Sequence, residues 1–307
     1  MNPADSARSL LVVPGDRPER FAKAAASGAD VVLCDLEDAV APANRDAARA
    51  VVADWVARHP AAVRINAAPP ERDADLAALA GANGLLAVVL PKAEDPAELR
   101  AVAARLPPTV SLHAMVETAR GIRDVDALAE AGPRRLVFGT VDFGLDAGIL
   151  PADAEERELL YARSRLVIAS RAAGLAPPVD GVSERASELL NTVALDLDDS
   201  AAAGAAARRA RHLGFGGKLC PHPRQVGPVN AAFRPTEREL RWARRVLDAA
   251  AGAGAGGGGV RVDGELIDRP RLTLARRLLE THEEHAAALE SRHDHDCGGV
   301  GEVGAPG

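Results

Sequence analysis

The chain has 307 residues, 47% of them hydrophobic and 3% aromatic, and a formal net charge of −7. That is enough apolar material for a large core, and the acidic balance argues against a nucleic-acid or acidic-membrane surface as the main partner, since both need a basic footprint. The N-terminus shows no secretory leader and no run approaches the ~20 apolar residues that cross a bilayer, while Cys34, Cys220 and Cys297 form no CxxC motif, so a reducing cytoplasm is the expected compartment.

Along the chain, short runs rich in Val, Leu and Ile recur: SLLVVP (9–14), DVVLCDLED (30–38), AAVRIN (61–66), LAVVLPK (86–92), SLHAMVET (111–118), RLVFGTVD (135–142), PPVDGV (177–182) and GGKLCPHP (216–223). Segments between them, such as RPERFAKAAASG and NRDAARAVVADWVARH, have helical character, the first with a capping box of Asp16 and Glu19. Strands alternating with helices in this way predict an α/β fold, a (β/α)8 TIM barrel with a C-terminal helical arm. The rival is a doubly wound open sheet, which usually carries G-x-G-x-x-G after its first strand; VPGDRPERF does not match. The barrel domain is expected over 1–250, ending in a helix at about 236–250. A Gly-rich linker follows (251–259), then an arm or lid with a polar turn and a long helix (260–290), then a disordered tail (291–307).

Active sites of such barrels lie at the C-terminal ends of the strands. The sequence puts polar residues there: Asp16 and Arg17; Asp35, Glu37 and Asp38; Arg64 and Asn66; Lys92 and Glu94; Glu117; Asp142; Asp180; Lys218 and His222. Asp38 and Glu94 also suit helix caps. Strand alternation gives Glu117 a face shared with Met115, and Asp142 a face shared with Thr140. Neighbouring strands lie about 4.8 Å apart, so the two carboxylates can reach a common point, where they repel unless a proton or a cation lies between them. Two readings stand: a Mg2+ site completed by waters and a chelating substrate, or two helix caps.

Arg64 and Asn66 share one strand face; Arg64 either pairs with Asp35 or Glu37 or grips a substrate carboxylate or carbonyl, and the two roles are compatible. Arg17, Arg20 and Lys23 form a solvated basic face or a rim that attracts phosphate. His113 is expected to be a satisfied core histidine. HEEH (282–285) and HDHDC (293–297) lack the H-E-x-x-H spacing of a metal helix. Lys92 and Lys218 keep Schiff-base chemistry formally open.

Taken together in order, RSLLVVPGDRPERFAKAAASGADVVLCDLEDAVAP, VRIN, LPKAE, VETARGI, FGTVDFGLD, ASRAAGL, VDGV, LGFGGKLCPHPRQVGPVNAAF and DGELIDRP resemble the citrate lyase β-subunit-like family of HpcH/HpaI-type aldolases, over residues 8 to about 278. The resemblance implies a barrel enzyme that uses Mg2+, or Mn2+ in its place, to cleave or form a carbon–carbon bond in a malyl-, citramalyl- or citryl-CoA-type thioester. Its partners would be an acyl-CoA and a small 2-keto acid. By the same resemblance Glu117 and Asp142 are the metal ligands and Arg64 is the substrate arginine. Arg17 and Lys23 fall where relatives contact coenzyme A. Asp268 matches an acid presented by the arm of a neighbouring subunit, which implies a homotrimer or hexamer. Asp35, Glu37 and Asp38 would orient Arg64 and metal-bound water. A malyl-CoA-type thioesterase, a 2-keto-acid aldolase, a citrate lyase β subunit and a non-catalytic binding member are the competing outcomes. The chain departs from the family pattern with DAG at 146–148 where DLG is common, Pro221 before His222, and its Gly-rich linker.

Overall fold

The eight apolar runs become the eight strands of a closed, all-parallel barrel in the computed structural model. Residues 2–151, 155–182, 184–187, 192–195, 199–252, 260–262 and 264–297 are described. In chain order the strands are β1 (Ser9–Pro14), β2 (Val31–Asp35), β3 (Ala61–Arg64), β4 (Leu85–Leu90), β5 (Ser111–Val116), β6 (Arg135–Phe138) and β7 (Ala176–Asp180). An antiparallel hairpin, β8 (Glu184–Ser187) and β9 (Thr192–Leu195), precedes β10 (Gly217–Cys220), which closes the barrel against β1.

The helices are α1 (Pro3–Ser6), α2 (Phe21–Ala25), α3 (Arg45–Val56), α4 (Glu71–Ala78), α5 (Pro96–Ala103), α6 (Ala119–Arg123) and α7 (Val125–Glu130). They continue with α8 (Thr140–Ala147), α9 (Leu160–Ala172), α10 (Ser200–Leu213), α11 (Pro223–Phe233), α12 (Glu237–Gly252) and α13 (Arg269–Cys297). The predicted capping box does not form: a 3-10 turn at Pro18–Arg20 leads into α2, and Asp16 instead accepts a hydrogen bond from Asn44.

Strand alternation divides the core in two. Leu10, Leu33, Val89, Met115, Val137 and Leu219 point inward and fill the barrel. Leu11, Val32, Val63, Val88, Val116 and Phe138 point outward and meet the helices. Burying each such side chain contributes roughly 1.5–3 kcal/mol, which is why parallel strands covered on both faces are apolar throughout.

Helix α1 closes the N-terminal end of the barrel. Asp5 accepts from Ser111 Oγ (3.1 Å) and lies 3.0 Å from His113 Nε2, while the Arg135 guanidinium donates to the carbonyls of Ala4, Ala7 and Pro177. Burial holds His113 below the usual histidine range, with the Asp5 contact opposing it. His113 is therefore the core histidine that its sequence position suggests, remote from the catalytic end.

Outside the barrel, register sets Lys218 beside Asp180, and both face α9. There Arg163 joins Asp180 (2.9 Å) and Glu156 (2.6 Å), and Lys218 donates to Asp180 and the Gly181 carbonyl; all four side chains are buried. Removing one member strands a buried charge. Arg163→Met is expected to destabilise the chain by about 3–5 kcal/mol, read as a lower urea midpoint at unchanged slope.

The chain divides into two compact units, residues 1–233 and 234–307. Helix α12, which the sequence pattern counts with the barrel, belongs to the second unit. That unit also holds the antiparallel pair β11 (Val260–Val262) and β12 (Glu265–Ile267), where the sequence pattern predicts only a polar turn. Its core joins Ala243 and Val246 of α12 to Ile267 and Ala275. Of the predicted linker, 251–252 end α12 and 253–259 lie outside the described residues; of the predicted tail, 291–297 continue α13 and 298–307 lie outside them.

Candidate active site

Arg64 ends β3 in register with Asp35 at the end of β2, and the two form a bidentate pair: Nε donates to Oδ1 at 2.7 Å and Nη2 to Oδ2 at 2.6 Å. Asp35 is fully buried, and its oxygens also accept from the Glu37 and Ala39 amides. The fork is thereby locked, and Nη1 is turned toward Glu37 (3.4 Å), Asp38 (3.8 Å) and the Met115 sulfur (3.9 Å). Burial opposes the charge on Arg64, but the Asp35 bonds outweigh it and keep the guanidinium protonated.

Glu117 follows β5 and is 1% exposed. Its Oε1 accepts from the Lys92 main-chain N–H at 2.7 Å, and its Oε2 is buried without a hydrogen-bond partner. Register places Val116 beside Phe138, so Glu117 lies against Gly139, the residue that opens α8. A Cβ on Gly139 would overlap Glu117 Oε2 and lie 2.5 Å from its Cβ, so only glycine leaves room for the carboxylate. Burial, then the negative charge of Asp142, then that of Glu37, push the Glu117 carboxyl up to about 8.

Asp142 is not on a strand. Strand β6 stops at Phe138, and Asp142 sits in the first turn of α8, half-buried, where the helix N-terminus favours a carboxylate. Its negative charge is felt at Glu117 from the first turn of a helix, so the strand-alternation argument for the expected pair does not apply. A buried carboxylate oxygen without a hydrogen-bond partner, near a second carboxylate, is a hard-oxygen donor set whose chemistry fits Mg2+.

Lys92 adopts a left-handed backbone (φ +50°), which aims its N–H at Glu117, and its ammonium lies 2.5 Å from Glu37 and 3.6 Å from Asp38. Burial weakens that charge, but the bond to Glu37 more than offsets it and raises the Lys92 pKa above its ordinary value. Burial likewise raises the Glu37 carboxyl, with Arg64 and Lys92 opposing.

Several predicted rim residues lie elsewhere. Asn66 turns outward and donates to Asp75 (2.8 Å) and the Leu36 carbonyl (3.0 Å), a structural role. Asp180 and Lys218 face the helix layer, His222 Nδ1 accepts from the Arg224 N–H beside α11, and Asp95, not Glu94, caps α5. Arg17, Arg20 and Lys23 are exposed after β1. Asp268, in the second unit, is exposed and accepts from the Arg271 N–H at the start of α13.

Lys92 is paired with Glu37 and Lys218 with Asp180 outside the barrel interior, an arrangement that argues against either amine as a Schiff-base nucleophile. Borohydride added with pyruvate is expected to leave the protein mass unchanged; a trapped adduct on either lysine would contradict this assignment.

A model of the HpcH/HpaI aldolase/citrate lyase family matches residues 8–223. A citrate lyase subunit beta-like protein of Mycobacterium tuberculosis is 37% identical over 286 residues, covering 91% of this chain and 97% of that protein. A (3S)-malyl-CoA thioesterase of Cereibacter sphaeroides is 35% identical over 291 residues, covering 91% and 96%. The crystal structure of CitE from Mycobacterium tuberculosis in complex with magnesium, acetoacetate and coenzyme A superposes with a TM-score of 0.76 at 36% identity, covering 91% of this chain and 98% of that one.

Proposed function

The chain belongs to the HpcH/HpaI aldolase/citrate lyase family, and from that membership we propose a Mg2+-dependent CoA-ester lyase acting on a malyl-, citramalyl- or citryl-CoA-type substrate. The observation that carries this reading is the buried Glu117 Oε2 without a hydrogen-bond partner, within the electrostatic reach of Asp142 and of the locked Arg64. Glu117 and Asp142 would hold the ion, which when bound supplies a Lewis acid and a template for a 2-hydroxy or 2-keto carboxylate.

In the cleavage direction a base takes the hydroxyl proton, the C–O bond becomes the carbonyl of the keto acid, and the adjacent C–C bond breaks. Its electron pair moves onto the thioester as an enolate, which is then protonated at carbon to release the acyl-CoA. Arg64 Nη1 is the group suited to donate to the enolate oxygen, since its partner Asp35 fixes the fork before charge develops. Glu37, Asp38 and Lys92 form the charged shelf that orients it. Arg17 and Lys23, exposed on the rim, suit the phosphates of coenzyme A. Asp268 is the proposed proton carrier, reaching the site from the second unit of a neighbouring copy in a homotrimer or hexamer.

A second reading is thioester hydrolysis on the same scaffold, favoured by the 35% identity to a malyl-CoA thioesterase. A panel of acyl-CoA substrates, with free CoA and keto acid measured separately, tests both. A lyase releases keto acid with the CoA still acylated; a thioesterase releases free CoA. Turnover confined to free keto-acid aldols would reject a CoA ester as substrate, activity only with co-purifying partner chains would point to a citrate lyase subunit, and wild-type turnover by Asp268→Ala would reassign the proton carrier.

A further inference from the structure

We propose that Asp146 is a positioning residue that sets the spacing between Glu117 and Asp142, an inference that rests on those two acids holding a divalent cation. Asp142 and Asp146 stand one turn apart on α8 and so share a helix face. Asp146 Oδ2 accepts from the Ala119 N–H at 2.7 Å, and Ala119 is two residues beyond Glu117, at the start of α6. One carboxylate of the helix thus bears electrostatically on Glu117 while the next ties the helix to the segment that follows Glu117.

The other hydrogen bonds and ring contacts described between α8 and the barrel lie at its start and beneath it. At its start Gly139 N–H donates to the Val116 carbonyl (3.1 Å) and Thr140 Oγ1 donates to the Val182 carbonyl (2.8 Å). Beneath it Phe143 lies against Phe138, ring centroids 5.4 Å apart. These contacts fix the start of the helix to the end of β5 and to the chain after β7, and its underside to β6, and its entry is a glycine without a side-chain cap. The bond from Asp146 ties the far turn of α8 to the segment after Glu117, and Asp142 lies in the chain between Gly139 and this tie. Mg2+ demands oxygen ligands at about 2.0–2.1 Å in near-octahedral array, so a small shift of α8 is felt at the metal.

The competing role is a plain cap: the Ala119 N–H is a first-turn donor of α6, as is the Gly121 N–H that Thr118 Oγ1 satisfies. Calorimetric Mg2+ titration and Mn2+ electron paramagnetic resonance on the full chain, alongside thermal melts, separate the two. Asp146→Ala should weaken Mg2+ binding about tenfold, whereas Asp146→Asn, which keeps an acceptor oxygen, should stay near wild type. A lower melting temperature with unchanged Mg2+ affinity in Asp146→Ala would reduce Asp146 to a cap and overturn the inference. Equal weakening in the Asn variant would assign the effect to charge and overturn it too. If the wild type binds no Mg2+, or binds it undiminished after Glu117→Gln, the underlying metal reading fails instead.

Discussion

Glu117→Gln is expected to lower kcat/KM for acyl-CoA cleavage on the order of 10^3-fold, because a bound Lewis acid supplies several kcal/mol and each 1.36 kcal/mol is a factor of ten. The amide keeps the size of the side chain and its acceptor for the Lys92 N–H, so the loss reports charge and ligation and leaves packing intact. The same variant separates the metal from the fold. Without a cation the Glu117 carboxyl, normally near 4.5, is held up at about 8, so the fold favours its neutral form. Its contribution to stability is fully present below about 4.5 and is lost as pH rises through about 8. Chelator-treated wild type should therefore lose stability across that window, and Glu117→Gln should lose less. Mg2+ should restore the wild type at pH 8 and release a proton as it binds at pH 7. Equal pH profiles for the two proteins would refute the assignment.

Arg64→Lys is expected to reduce kcat about 10^2–10^3-fold with little change in Mg2+ affinity. Lysine preserves the charge but not the fork: the planar guanidinium spends Nε and Nη2 on Asp35 and keeps Nη1 for the site, and an ammonium cannot divide itself that way. Lysine is the better probe than alanine, since alanine would leave buried Asp35 without its bidentate partner and cost about 3–5 kcal/mol of stability. A near-wild-type kcat for Arg64→Lys would mean that Arg64 serves only to neutralise Asp35.

The barrel was legible because each strand is a short apolar run bounded by turn residues, and doubly covered parallel strands need no polar alternation. β5, buried along its whole length, is the clearest case. The site was legible where strand-end register governs it, as for Arg64 beside Asp35. It was harder to see wherever the chain leaves the strand. RLVFGTVD reads as one strand through Asp142, yet the chain turns at Gly139, and the first turn of α8 brings the carboxylate within electrostatic reach of Glu117. Asn66 is drawn away by Asp75, a partner on α4 that no local pattern reveals. Asp180 and Lys218 miss the barrel interior because Val179 and Leu219 take the inward positions. The main-chain donor of Lys92 depends on a left-handed backbone that nothing in LPKAE signals. The glycine beside Glu117 was open to inference, since a strand end facing a buried acid has room for little else.

The central claim is that Glu117 and Asp142 hold the Mg2+ on which carbon–carbon cleavage depends. The most direct test is the initial rate of keto-acid release from a malyl- or citramalyl-CoA substrate as Mg2+ is returned to chelator-stripped protein. The rate should start at background, saturate with Mg2+, and remain at background throughout for Glu117→Gln and Asp142→Asn. Full turnover in EDTA, or a wild-type Mg2+ response from either variant, would contradict it.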